Sequence, residues 1–261
     1  MDIEVFISTI NKQIEEIDKG TLTYKDLTVI NQKPETLDGT IKITSRESVK
    51  WIDYDQKGLS KSRNLGLSMA TSELIYLTDD DIVLKDNFKE IVTRAFINNS
   101  EYDIIAFNIE GIEEEFKKLE TREKDLNLLT SMKLSSVQIV YRTSFLKEKN
   151  IEFDERFGAG AEYSMGEENI ILFDAIKKGA KIKFIPETIA YLHIGSSTWF
   201  KGFNSKYLHD KGASFWRMFG VLAPLYSLTY CIRKNKLYKE HMSILVAYIK
   251  TLQGMLSVLR R

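Results

Sequence analysis

An apolar run that ends in three consecutive carboxylates, Glu73-Leu74-Ile75-Tyr76-Leu77-Thr78-Asp79-Asp80-Asp81, limits the folds open to this chain more than any other stretch. Adjacent carboxylates repel one another, so the triplet needs water or a bound cation around it. An open α/β sheet meets that demand, because its ligands bind beyond the carboxyl ends of the strands. A strand ending near Leu77 would deliver Asp79, Asp80 and Asp81 there. Oxygen-only donors on a short turn suit a hard divalent ion, Mg2+ or Mn2+. Taken alone, the triplet is equally well explained as a solvated acidic turn before a helix capped by Asp86.

The segments around it repeat the alternation of strand and helix. Ile3 to Ile10 and Leu27 to Ile30 read as buried strands that close on small polar residues, Ser8-Thr9 and Asn31-Gln32, with a helix starting at Gln13 between them. A short strand is expected at Val49 to Trp51, followed by a turn at Gly58 and a helix with Ser60 near its N-cap. Lys61 and Arg63 fall in that helix's first turn, where the dipole disfavours cations, so a nearby anion would account for them. Further strands are expected at 102–108, 136–141, 181–185 and 189–192, and helices at 88–97, 142–149 and 167–176. Residues 110 to 125 are crowded with charge and read as a surface excursion. A glycine-broken loop from Phe153 to Gly160 leads to Glu167 and Glu168, which open a helix where acidic residues suit the dipole. A loop of that kind also presents catalytic groups. His193 follows the last strand; a lone histidine is more often structural, but imidazole is also a common transition-metal ligand.

Charge divides the chain unevenly. The 37 Lys/Arg balance the 37 Asp/Glu, yet residues 201 to 261 hold 11 Lys/Arg against 2 Asp/Glu, a net of +9, which leaves −9 on residues 1 to 200. The tail is also rich in aromatics and aliphatics, which points away from nucleic acid and toward an anionic membrane surface. Phe215 to Ile232 contains Arg217 and Pro224 and barely reaches spanning length, so an interfacial helical hairpin is expected, with Trp216, Phe219 and Leu222 inserting. Ile244, Tyr248, Leu252, Met255 and Leu259 recur at helical spacing; packing on the protein's own core or on a second subunit is the alternative to membrane contact. The single cysteine, Cys231, excludes an internal disulfide, and the acidic start Met1-Asp2-Ile3-Glu4 does not resemble a signal peptide. A cytoplasmic protein, peripheral on the inner membrane face, is the expectation.

With these pieces in order, the sequence resembles a family 2 glycosyltransferase of the GT-A fold, the bacterial type that builds capsule or other surface polysaccharides. The resemblance rests on four motifs: the turn at Ser8-Thr9, a Gly-x-Ser-x-x-Arg-Asn-x-Gly helix start from Gly58 to Gly66, an Asp-x-Asp-like cluster at Asp79-Asp80-Asp81, and a Gly-Glu-Asp-like motif at Gly166-Glu167-Glu168. It implies a mixed α/β sheet flanked by helices over residues 1 to 200, with residues 201 to 261 as a helical appendage.

By that resemblance, Asp80 contacts a Mn2+ or Mg2+ ion, Asp79 lies near the ribose, Asp81 supports and His193 adds a further ligand. Ser8, Thr9, Asn31, Gln32 and Arg63 would face the nucleotide of a donor, expected to be a UDP-sugar. Asn31-Gln32 stands where many relatives carry an acidic residue toward the base, and Glu-Glu stands where they carry Glu-Asp. Glu168 would act as general base on an acceptor hydroxyl, with Glu167 the second choice, and one displacement would invert the anomeric centre. The acceptor would be a lipid-linked or free oligosaccharide. A nucleotidyltransferase is the nearest enzymatic rival, but Ser8-Thr9-Ile10-Asn11-Lys12 lacks the glycines of a triphosphate-binding loop. A non-catalytic, membrane-peripheral assembly protein with the same fold is the other.

Overall fold

The computed structural model describes residues 1–35, 41–46, 49–194 and 202–260. Its strands are β1 (Ile3–Ile10), β2 (Leu27–Gln32), β3 (Ile41–Arg46), β4 (Val49–Tyr54), β5 (Leu74–Asp79), β6 (Ile82–Leu84), β7 (Ile104–Gly111), β8 (Lys124–Leu126), β9 (Ile139–Arg142) and β10 (Ile182–Leu192). The α-helices are α1 (Lys19–Leu22), α2 (Leu59–Met69), α3 (Phe88–Asn98), α4 (Leu128–Ser131), α5 (Thr143–Glu148), α6 (Glu167–Lys177), α7 (Ser205–Phe219), α8 (Ala223–Lys234) and α9 (Ile244–Leu259).

One mixed sheet carries the order β3-β4-β2-β1-β5-β9-β7-β10-β6, with β8 pairing with β10. Its centre is parallel: β1 lies between β2 and β5, and β2 pairs with β4. Both faces of that centre are covered, which is why β1, β2 and β5 read as nearly continuous apolar runs. Phe88, Ile91, Val92, Ala95 and Phe96 of α3 seal one face. Leu67 of α2, Leu146 of α5, and Ile171, Leu172 and Ala175 of α6 seal the other.

Several elements differ from the sequence expectation. Where a helix was expected from Gln13, the chain makes only a 3-10 turn at Ile14–Glu16 and the four-residue α1. β3 was not expected; it is an edge strand with Ile41 and Ile43 exposed, so it lacks a buried run. The two strands expected around Pro186 form one, β10, because the register against β7 shifts between Ile185 and Thr188 and so takes the proline into an irregularity. The N-cap of α2 is Gly58, and Ser60 follows two residues later, near the cap as expected.

The C-terminal helices share a core with the sheet domain. Ala213, Phe215 and Met218 of α7 and Met255 of α9 cluster with Phe157, Tyr163, Ile170 and Phe173. Arg217 bonds to Asp154 at 2.9 Å and to Asp174 at 2.6 Å, so one tail cation is neutralised internally. α7 and α9 approach closely enough that a Cβ on Gly212 or Gly254 would collide with the facing backbone. Trp216 and Phe219, expected to insert in a membrane, are half-buried against this cluster instead. Leu222 is 56% exposed, as expected. Met255 and Leu252 of α9 pack inward, while Leu245, Val246, Ile249 and Leu256 are exposed, so the helix is apolar on both sides. No helix among the described residues is long and apolar enough to cross a membrane. The expected boundary at residues 200–201, and Arg261, lie outside the described residues.

Candidate active site

Strand register alone lines up one rim. Ser8 pairs with Asp79 across β1 and β5, Thr9 with Asn31 across β1 and β2, and Asn31 with Asp53 across β2 and β4. These residues stand at the carboxyl ends of four neighbouring parallel strands, where open α/β sheets bind ligands. Ser8 and Ser62 share a hydroxyl bond of 2.7 Å, which ties β1 to α2. Asn31 is fully buried; its amide donates to Asp53 Oδ1 at 2.9 Å and to the Lys12 carbonyl at 3.1 Å. Gln32 Oε1 accepts from Gly58 N at 2.7 Å and so fixes the turn into α2.

Asp53 was not singled out in the sequence. It accepts from Trp51 Nε1 at 2.9 Å and pairs with Lys33 at 3.2 Å. Burial opposes its ionisation, but the bonds from Trp51, Asn31 and Lys33 outweigh burial and hold its carboxyl below the usual range. The available signal was its place two residues after Trp51, on the buried face of a strand.

Arg63 is the most displaced of the expected site residues. It was expected to face the nucleotide, yet it is 1% exposed and spends its two terminal nitrogens on Asp79, at 2.9 Å, and Glu167, at 3.1 Å. The anion that explains a cation in this first turn is therefore internal. Gly58, at φ 135°, and the loop before α6 make the approach possible: Leu59 N donates to the Ala159 carbonyl and Ser60 Oγ to the Phe157 carbonyl. Glu167, the second choice for general base, is buried against Arg63. Burial and the adjacent Glu168 push its carboxyl upward, with Arg63 pulling the other way. Its carboxylate is committed to Arg63. Glu168 is half-buried and makes no hydrogen bond or ion pair with any described residue. A carboxylate held at a helix start with its oxygens uncommitted is suited to receive a proton.

The acidic turn is partly engaged. Asp80 accepts a short bond from Thr9 Oγ1 and pairs with Lys12 at 3.2 Å. Asp81 carries an oxygen with no hydrogen-bond partner, and burial, then Asp79 and Asp80, push its carboxyl up to about 7. His193 touches this turn through its backbone, its N donating to the Asp81 carbonyl at 2.9 Å, while its Nδ1 meets Glu113 at 2.7 Å. Among the described residues, no three His, Cys, Asp or Glu side chains converge as a ready-made metal cage. The orphaned Asp81 oxygen and the mutual repulsion nevertheless fit a hard cation, because one would relieve both.

Burial and that repulsion together predict a pH dependence. A folded-state value raised above the ordinary 3.8 means that the fold holds a proton through the window from about 4 to 7 that the unfolded chain has lost. Stability then falls as pH rises through that window. Asp81→Asn should raise stability at pH 8 in chelator by on the order of 2 kcal/mol, and by almost nothing at pH 4. Thermal melts at the two pH values check this; equal effects at both would show that charge is not the cause.

Residues 4–167 match the model of the family described as Glycosyl transferase family 2. No curated protein sequence matches the chain. Among solved structures, residues 1–349 of S. aureus TarS in complex with UDP-GlcNAc align at a TM-score of 0.67 and 14% identity, over 99% of this chain and 81% of that one. The UDP complex of the same protein aligns at 0.62 and 14% identity, over 100% and 90%. A longer TarS chain aligns at 0.64 and 16% identity, over 99% of this chain and 49% of that one. The aspartate turn, the Arg63 helix and Glu167 all fall within the matched span, and the chain belongs to glycosyl transferase family 2, with the GT-A fold.

Proposed function

We propose that this protein is an inverting glycosyltransferase that moves a sugar from a UDP-sugar to a hydroxyl of a saccharide acceptor. The observation that carries the reading is the Arg63 clamp. It holds Asp79 of the acidic turn and Glu167 of α6 on one guanidinium, which supports a place for the next residue, the uncommitted Glu168, near the strand-end rim. The rim formed by Thr9, Asn31 and Asp53 supports binding of the nucleoside, with Asp79 toward the ribose. TarS, with this fold, binds UDP-GlcNAc and UDP, which supports uridine as the base.

Transfer must stabilise a departing diphosphate and remove a proton from the acceptor. Asp80 and Asp81 would hold Mn2+ or Mg2+, with His193 adjacent; such an ion supplies Lewis-acid stabilisation of the diphosphate. Glu168 takes the acceptor proton from the face opposite the leaving group, and the displacement inverts the anomeric centre. Glu167 does not take that proton; with Arg63 it keeps the start of α6 in place.

The exposed side chains of Val221, Leu222, Leu225 and Ile232, beside Arg233, Lys234, Lys236 and Lys239, support a peripheral seat on an anionic membrane and thus a lipid-linked acceptor in surface polysaccharide synthesis. The test is release of UDP from UDP-sugars by the full chain, with Mn2+ and in chelator, and sedimentation with phosphatidylglycerol vesicles. Metal-dependent turnover and vesicle binding only partly reversed by salt are expected. Absence of turnover with any nucleotide sugar would overturn the enzymatic reading, and a protein left in the supernatant at low salt would overturn the membrane seat.

A further inference from the structure

Asp210 is a buried charge that the reaction outlined above does not use. It is one of two acidic residues, with Glu240, in the basic tail from 201 to 261, and it is 0% exposed. Its Oδ2 accepts from Ser164 N at 2.9 Å, from Ser164 Oγ at 2.8 Å and from Lys206 Nζ at 2.7 Å, and its Oδ1 meets His209 Nδ1 at 3.0 Å. Lys206 and His209 belong to α7 itself. Ser164 does not: it lies in the loop that leads into α6, four residues before Glu168.

The neighbours of Asp210 on α7 meet that loop in step. Lys206 Nζ donates to the Glu162 carbonyl at 3.4 Å, Asp210 holds Ser164, and a Cβ on Gly166 would come within 2.8 Å of the Ser214 Cβ. Positions 206, 210 and 214 share one face of the helix, while positions 162, 164 and 166 are alternate residues of the loop. Four residues of helix rise about 6 Å, a distance that two residues of chain can span, since they reach about 7 Å when extended. One face of α7 therefore follows the loop as far as Gly166, the N-cap of α6, at φ 97°. Arg63 holds the next residue, Glu167. The start of α6 is thus fixed from two sides, and Glu168 is the first residue beyond both holds.

Stability alone does not call for a carboxylate here. A buried charge costs desolvation that its partners do little more than offset, and apolar packing would join α7 to the domain as well. Charge-assisted bonds supply geometry instead: two of them, from the amide and the hydroxyl of one serine, fix both the place and the orientation of that residue. We propose that Asp210 is a positioning residue for the transfer and that, acting through Ser164, it sets where Glu168 meets the acceptor hydroxyl. This rests on the glycosyltransferase reading above, with Glu168 as base. The tail then supports the chemistry as well as the fold.

The test is a double-mutant cycle on the full chain. It is read as UDP release, with water as acceptor, from whichever of UDP-GlcNAc, UDP-glucose and UDP-galactose the wild type turns over fastest. Asp210→Asn should lower kcat roughly 10- to 100-fold, as a misplacement of about 1 Å does, and leave the KM for the UDP-sugar unchanged. In a Glu168→Gln background the same substitution should lower kcat little further, because residues that act as a unit are not additive. Ser164→Ala loses only the hydroxyl bond; it should show a smaller fall with the same dependence on Glu168, and it carries the cycle if Asp210→Asn does not fold. Ser243→Ala removes the N-cap of α9, so it should lower the melting temperature and leave kcat unchanged. Losses that multiply in the double variant overturn the proposal, as does an Asp210→Asn enzyme that melts earlier but keeps its kcat. A wild type that turns over none of the three sugars overturns the enzymatic reading, and a near-normal Glu168→Gln overturns the base assignment. Either removes the proposal's ground, and both are distinct from its own failure, which is read on an active wild type and a slow Glu168→Gln.

Discussion

Glu168→Gln is expected to lower glycosyl transfer by roughly 10²- to 10⁴-fold, the usual contribution of a positioned general base, while UDP still binds. The fold should tolerate the change, because Glu168 is half-buried and makes no bond that the amide would lose. Glu167→Gln should behave differently. It weakens the pair with Arg63, so its loss of activity should come with a loss of stability. Steady-state transfer and UDP-dependent melting, measured on both variants, separate a chemical role from a positioning one. Near-normal transfer by Glu168→Gln, with a stable but inactive Glu167→Gln, would reverse the two assignments.

The strands at the sheet centre were legible because burial on both faces leaves nearly continuous apolar runs, as in Val5 to Ile7 and Leu74 to Leu77. The rim was legible too, since those runs end in polar residues that no interior would accept. What stayed hidden depended on partners distant in the chain. Arg63 looked like half of an anion site, and its two carboxylates stand 16 and 104 residues away. Asp53 looked like one acidic residue in a charged stretch until strand pairing set it beside Asn31. The tail misled in a different way. Its apolar spacing is genuine, but α9 is apolar on opposite sides, and periodicity cannot say which side meets the core. Of the three residues chosen for insertion, Trp216 and Phe219 pack half-buried against the cluster that joins the tail to the domain, and Leu222 is exposed.

The buried guanidinium leads to the second large effect. Arg63→Met is expected to cost about 3–5 kcal/mol, because it leaves the Glu167 carboxylate buried without its cation. Asp79 loses a partner as well, but it is one-third exposed and water can replace the arginine there. Adding Glu167→Gln to Arg63→Met should restore most of the stability, since the uncompensated charge is then gone. Urea unfolding of the wild type, both single variants and the double variant checks this; a double variant as unstable as Arg63→Met would show that packing against Phe153, 5.6 Å from the guanidinium, is what the arginine supplies. The arginine is an expensive choice for stability alone, because its Nε is buried with no acceptor. A methionine-glutamine pair would fill the space without that cost, yet it could not bind the acidic turn to the start of α6. The double variant should therefore fold and still transfer sugar poorly, with Asp79 and Glu168 no longer held in one frame.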